Sequence, residues 1–148
     1  MPQPLPDDSY FMRQALLEAR QALAEEEIPI GAVVVLDNKI IGRGHNQTER
    51  LRDVTAHAEM LALTAAANHV GNKYLAGATL YVTIEPCVMC AGASYWAQVS
   101  RVVFGAEELK VGFRRFGNLL HPRTKLLSGV LAEECAALMR DFFALKRK

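Results

Sequence analysis

Ala78-Thr-Leu-Tyr-Val-Thr-Ile-Glu-Pro-Cys-Val-Met-Cys-Ala-Gly-Ala93 is the stretch on which the fold turns. Its first half, Ala78 to Ile84, is rich in β-branched and aromatic residues and reads as a strand. Pro86 stops that strand, and Cys87 to Ala97 reads as the helix that follows. Cys87 and Cys90 thus fall three positions apart at a helix start.

Working outward, Arg101 to Phe104 reads as a further strand. Upstream, Thr55 or Ala56 opens an alanine- and leucine-rich helix that runs through Ala67, with Gly71 and Asn72 to end it. Ala32 to Leu36 is an apolar run, Asp37-Asn38 is a turn signal, and Ile40-Ile41 starts a return strand ending near Asn46. That is a β-hairpin. Asp7, Asp8 and Ser9 can cap a helix running to about Glu26, with Met12, Leu16, Ala19 and Leu23 on one face. Gln47 to Thr55 reads as a polar loop. From Glu107 to Leu127 the periodicity is weak, with a short strand at Lys125 to Leu127. Leu131, Cys135, Leu138, Phe142 and Leu145 step by four and three and predict a last helix. Helix, hairpin, then helix and strand in alternation predict a three-layer α/β/α domain on a mixed sheet of about five strands.

The 148 residues suit one domain, 1–148. Half of them, 51%, are hydrophobic and 22% are charged, a globular composition that needs no disulfide framework. Three cysteines, two of them close together, fit a reducing, cytoplasmic setting better than secretion. Met1 to Asp8 has neither a basic nor an apolar leader segment, and no run of 18 apolar residues suggests a membrane helix. A net charge of +1 means that any nucleic-acid surface has to be local.

Two segments carry chemistry: His57-Ala58-Glu59 and Glu85-Pro86-Cys87-Val88-Met89-Cys90. A thiolate pair at this spacing can clamp one metal from the first turn of a helix, and an imidazole from a second helix start adds a third ligand. Sulfur and imidazole nitrogen suit zinc. Helix N-termini favour thiolate over thiol, through the dipole and the free N–H groups. Three protein ligands leave a position for water, whose pKa zinc can bring from 15.7 to about 7. Glu59, two residues from His57, can move that water's proton. Two rival readings of the cysteines are a thioredoxin-like redox pair and a structural zinc site closed by His45, His69 or His121.

The pair of segments matches H-x-E with P-C-x-x-C, the known signature of zinc nucleobase deaminases. The chain resembles the cytidine deaminase-like superfamily and, within it, the bacterial tRNA adenosine deaminases. The resemblance rests also on Ile28 to Val35, Gly44-His-Asn46, Arg101 to Ala106 and Gly129 to Leu138, and extends from about Tyr10 to Lys146. It implies one zinc per chain and hydrolytic attack at carbon 6 of an adenine. The product would be inosine at the wobble position of tRNA, with Glu59 as proton shuttle. It further implies that Asn46 hydrogen-bonds the base, that the backbone at Ala58 and Glu85 lines the pocket, and that the protein is a homodimer. The segment 107–125 is shorter and more aromatic than in those enzymes, and Tyr95-Trp96 resembles deaminases acting on free bases such as guanine. A deaminase of a free base or nucleoside, guanine or cytosine, is therefore the alternative substrate reading. A non-catalytic, zinc-stabilised RNA-binding module is the alternative of another class.

Leu109 to Ala132 contains Lys110, Arg114, Arg115, Arg123 and Lys125 and no acidic residue, with Phe113 and Phe116 among the arginines. Such a mixture can contact phosphates and stack bases. A merely solvated basic loop has the same composition. Arg140 and the tail Lys146-Arg147-Lys148 add positive charge. Cys135 lies on the apolar stripe of the last helix and reads as a packing residue.

Overall fold

The computed structural model describes residues 6–146; Arg147 and Lys148 of the basic tail, and the start of the leader segment considered above, lie outside them. Helix α1 (Asp8–Ala24) opens with the Asp7 side chain accepting the Tyr10 N–H at 2.9 Å, the predicted cap. It closes two residues before the sequence suggests. Glu26 takes a left-handed conformation (φ 63°), while the Glu26 and Glu27 N–H groups bond back to Leu23 and Ala22. This turn sends Glu27 into the protein.

The hairpin is β1 (Gly31–Leu36) and β2 (Lys39–His45), joined by Asp37 and Asn38, both at positive φ as a two-residue turn requires. A short helix, α2 (Thr48–Leu51), occupies part of the predicted loop. Helix α3 (Ala58–Val70) and strand β3 (Thr79–Ile84) follow, then helix α4 (Val88–Ala97), strand β4 (Arg101–Ala106), a single 3₁₀ turn (Phe113–Phe116), strand β5 (Lys125–Leu127) and helix α5 (Ala132–Lys146). The sheet order is β2-β1-β3-β4-β5. The β1 strand is antiparallel to both neighbours, and β3, β4 and β5 are parallel. The mixed five-stranded sheet is the predicted one, down to the three residues of β5.

Strand alternation builds two cores. Val34, Leu80, Val82, Val102 and Phe104 face Ala58, Ala62, Ala66 and Ala91 of α3 and α4. Val33, Tyr81 and Val103 face Phe11, Met12 and Leu16 of α1 and Cys135 of α5. Cys135 is buried, as its place on the stripe implies, whereas Leu145, on the same predicted stripe, is 66% exposed. Helix α3 lies unusually close to β2. A Cβ on Gly44 would stand 2.3 Å from the Ala58 carbonyl oxygen, and one on Gly42 2.4 Å from that of Ala62. Two glycines facing three alanines one turn apart let helix and strand backbones touch, and this contact sets where α3 begins. None of the described helices is long and apolar enough to cross a membrane.

Candidate functional site

The start of β1, the ends of β2 and β3, and the starts of α3 and α4 meet at one end of the strands. His57 is the N-cap residue of α3, Cys87 is that of α4, and Cys90 sits in the first turn of α4. Neither side chain makes a capping hydrogen bond to its helix. His57 Nδ1 is 3.6 Å from Cys87 Sγ and 3.6 Å from Cys90 Sγ, and all three donor atoms lie within 4.8 Å of one another. Zinc–sulfur bonds of about 2.3 Å and zinc–nitrogen bonds of about 2.0–2.1 Å at tetrahedral angles place N and S about 3.5 Å apart. The donors therefore fit one zinc ion.

The electrostatics agree. The Cys87 thiol is held down to about 4, chiefly by its hydrogen bond with Cys90 and also by the His57 imidazole. The same contact with Cys87 and burial push the Cys90 thiol up, and the His57 imidazole is raised by Cys87. Cys87 is thus the ready thiolate of the trio, and binding of a cation would displace the protons that Cys90 and His57 retain. The fourth-ligand candidates lie elsewhere. His45 sits between Glu18 and Glu25 (3.4 and 3.1 Å), His121 stacks near Tyr95, and His69 is exposed. Among the described residues the metal cluster consists of His57, Cys87 and Cys90. An open coordination position is the mark of a catalytic site.

Beside the donors is a cavity of about 300 Å³, lined by Asn46, His57, Ala58, Glu59, Glu85 and Cys87 among others. Every site residue expected to bind metal, base or proton therefore borders one space, except Cys90, which is buried behind Cys87. Glu59 is 3% exposed, and burial pushes its carboxyl up to about 7. The Asn46 backbone N–H donates to the Ile30 carbonyl at 3.1 Å, which ties the end of β2 to the start of β1 and fixes the side chain at the cavity. A larger space, about 770 Å³, lies along Glu25 to Ile28 and α2, away from the donors.

The Glu85 side chain has a different role from its backbone. Its carboxylate accepts the Glu108 N–H (3.2 Å) and the Arg114 N–H (3.1 Å), and pairs with the Arg114 guanidinium through Nε and Nη2, each at 3.2 Å. Despite the cost of burial, these donors hold the Glu85 carboxyl below its ordinary range. Arg114, expected among the RNA contacts, is thereby ion-paired with Glu85, though its side chain is 36% exposed; it also pairs with Glu107 and lies over the Phe104 ring. Lys110, Arg115 and Arg123 are exposed as well. Tyr95 and Trp96 do not line the cavity. Trp96 is 75% exposed on the outer face of α4, so the aromatic pair says nothing about the base that enters.

Sequence reasoning missed Glu27. It is 2% exposed, and its carboxylate accepts the Glu49 and Arg50 N–H groups at 3.1 and 2.8 Å. It thus caps α2 in place of Gln47, whose side chain makes no capping bond. This fixes the Asn46–Thr48 corner of the cavity. The Glu25-Glu26-Glu27 run offered no signal to single out its third member.

A histidine and two cysteines meeting at one point, with a buried carboxyl beside them, define the class of zinc-dependent hydrolytic enzymes. Residues 5–106 match the Cytidine and deoxycytidylate deaminase zinc-binding region, and the chain belongs to that family. It is 44% identical, over its whole length and 97% of the relative's, to a tRNA-specific adenosine deaminase of Streptococcus pyogenes. A structure from work on A-to-I editing by tRNA:A34 deaminases at the wobble position superposes with a TM-score of 0.82. It is 42% identical and covers 88% of this chain and 99% of its own. A guanine deaminase from Nitrosomonas europaea gives a TM-score of 0.81 at 26% identity, over 97% and 88% of the two chains.

Proposed function

We propose that residues 1–148 form one zinc-dependent deaminase domain that converts adenosine to inosine at the wobble position of tRNA. The observation that carries the chemistry is the buried Glu59 carboxyl on the wall of a base-sized cavity, two residues along the chain from His57, one of three zinc-type donors that meet there. The likeness to tRNA-specific relatives across the whole chain supports the substrate.

His57, Cys87 and Cys90 hold the zinc in this reading. When bound, zinc supplies a Lewis-acid centre that makes water acidic enough to act as a nucleophile near neutral pH. Glu59 takes the proton from the attacking water and passes it to the purine ring nitrogen. It then moves a further proton to the departing amine. The water oxygen ends on carbon 6, the bond from carbon 6 to nitrogen breaks, and ammonia leaves. Asn46 orients the base by hydrogen bonding, and the Ala58 and Glu85 backbones border its edge. The cavity's apolar wall, which includes Ile28, Ile30 and Ile84, excludes bulk water around the ring.

Exposed Lys110, Arg115 and Arg123 are the phosphate contacts of this reading. Val88, Tyr95 and Trp96 leave apolar surface on the outer face of α4, which supports a homodimer through that face. Free, donor-competent cysteines fit a cytoplasmic setting.

The test is ammonia release by the zinc-loaded protein from unmodified tRNA, from adenosine, and from adenine, guanine and cytosine. The expected result is release from tRNA, with inosine at the wobble position. Efficient turnover of guanine with none on tRNA would replace this reading with that of a free-base deaminase.

A further inference from the structure

The least periodic part of the sequence forms one wall of the cavity. Glu108 and Val111 line it, although Val111 is 57% exposed and neither belongs to a helix or strand. An exposed loop holds a fixed wall only if something fixes its backbone. Here Glu85 does so from within. Its carboxylate, 3% exposed, accepts an N–H from each end of the segment, at Glu108 and Arg114. The fork of Arg114 then closes over the same carboxylate. Gly112 passes so close that a Cβ would stand 2.6 Å from Glu85 Oε2. The Phe113 N–H donates to the Pro86 carbonyl at 2.9 Å, and Gly112 forms a β-bridge to Cys87. The pocket wall is thus fastened to the strand end that carries a zinc-donor cysteine.

Building on the deaminase reading of the site, we propose that Arg114 is a positioning residue. Its two-pronged ion pair with Glu85 holds segment 107–112 as the cavity wall and so tightens substrate binding, with no contact to nucleic acid. A bidentate arginine restricts both partners, whereas lysine keeps the charge but loses the fork. A guanidinium spent on Glu85 and Glu107 is also neutralised locally, and so is poorly placed to release a phosphate counterion.

The experiment compares Arg114→Lys and Arg114→Gln with Arg115→Gln in the zinc-loaded protein. It measures KM and kcat for a short adenosine-containing RNA, the salt dependence of tRNA affinity, and amide hydrogen exchange across residues 107–116. Both Arg114 variants should raise KM by roughly tenfold with kcat changed less than about twofold, the pattern of lost binding rather than lost chemistry. Both should speed exchange at the Glu108 and Arg114 amides and leave the salt slope at the wild-type value. Arg115→Gln should do the reverse, lowering the slope by about one unit at unchanged exchange. A near-normal Arg114→Lys, with Arg114→Gln flattening the salt slope, would identify a phosphate contact and overturn the proposal, as would wild-type exchange in both variants. Hydrogen exchange reads the loop without turnover. A protein inactive on every base, yet with exchange quickened by Arg114→Lys, would sink the deaminase reading and leave the latch standing.

Discussion

Gly44→Ala tests the contact that places α3, and with it His57 and Glu59. The added Cβ would stand 2.3 Å from the Ala58 carbonyl oxygen and 2.7 Å from the Ala62 nitrogen. These are backbone atoms at the start of α3, so no side chain can swing away. Real Cβ atoms do not approach closer than about 3.0 Å, so helix and strand must separate by roughly 0.7 Å or more. Overpacking of this kind costs about 1–3 kcal/mol, which for a chain of this size lowers the unfolding midpoint by roughly 3–10 °C. The functional effect should be larger than the thermal one. Ala58 lies between His57 and Glu59, and a displacement near 1 Å at reacting groups can cost about 10²-fold in rate. The assay pairs thermal unfolding with turnover on tRNA. Asn38→Gly is the control, at the far end of the same hairpin, where φ is 62° and glycine is at ease; it should change neither quantity much. A Gly44→Ala protein with the wild-type midpoint and turnover would show that α3 is not seated on β2 as described.

Glu59→Gln should keep its zinc and its fold and lose roughly 10²–10⁴ in kcat, since it removes acid–base transfer and little else; metal analysis beside the rate assay checks this, and substantial activity in the variant would reassign Glu59. Cys87→Ala should drop zinc from about one ion per chain and lower thermal stability as well, because ligand binding contributes folding free energy; full zinc content in that variant would remove Cys87 from the donor set. Asp8 ties α1 to the sheet: it pairs with both prongs of Arg101 (3.1 and 3.0 Å) and accepts the Tyr81 hydroxyl at 2.6 Å. Arg101 holds the Asp8 carboxyl below its ordinary 3.8, so the stabilisation is fully present above that pH and is lost as pH falls through the lower folded value. Asp8→Asn should therefore cost about 1 kcal/mol at neutral pH for this partly exposed network, with the gap to wild type closing below about pH 4 in a midpoint-against-pH series; a gap that widens in acid would contradict the assignment.

The zinc donors and the proton carrier could be read from the chain because local geometry decides them. Two residues separate Cys87 from Cys90, which places both at the start of one helix. His57 and Glu59 straddle the first residue of another, so imidazole and carboxyl project from the same helix end. The strand and helix order was legible for the same reason: burial on one face of a sheet or helix writes a period into a few neighbouring residues. The small helix α2 was not, since it is four residues long and owes its cap to Glu27, more than twenty positions away. Arg114 is the clearest case. In the sequence it stands beside Arg115 in an acid-free segment, and both look equally ready for phosphate. Only the fold brings the buried Glu85 carboxylate, 29 residues earlier, within 3.2 Å of one guanidinium and not the other. Ion pairing follows distance in space, and distant residues leave no periodic mark in the chain to announce it.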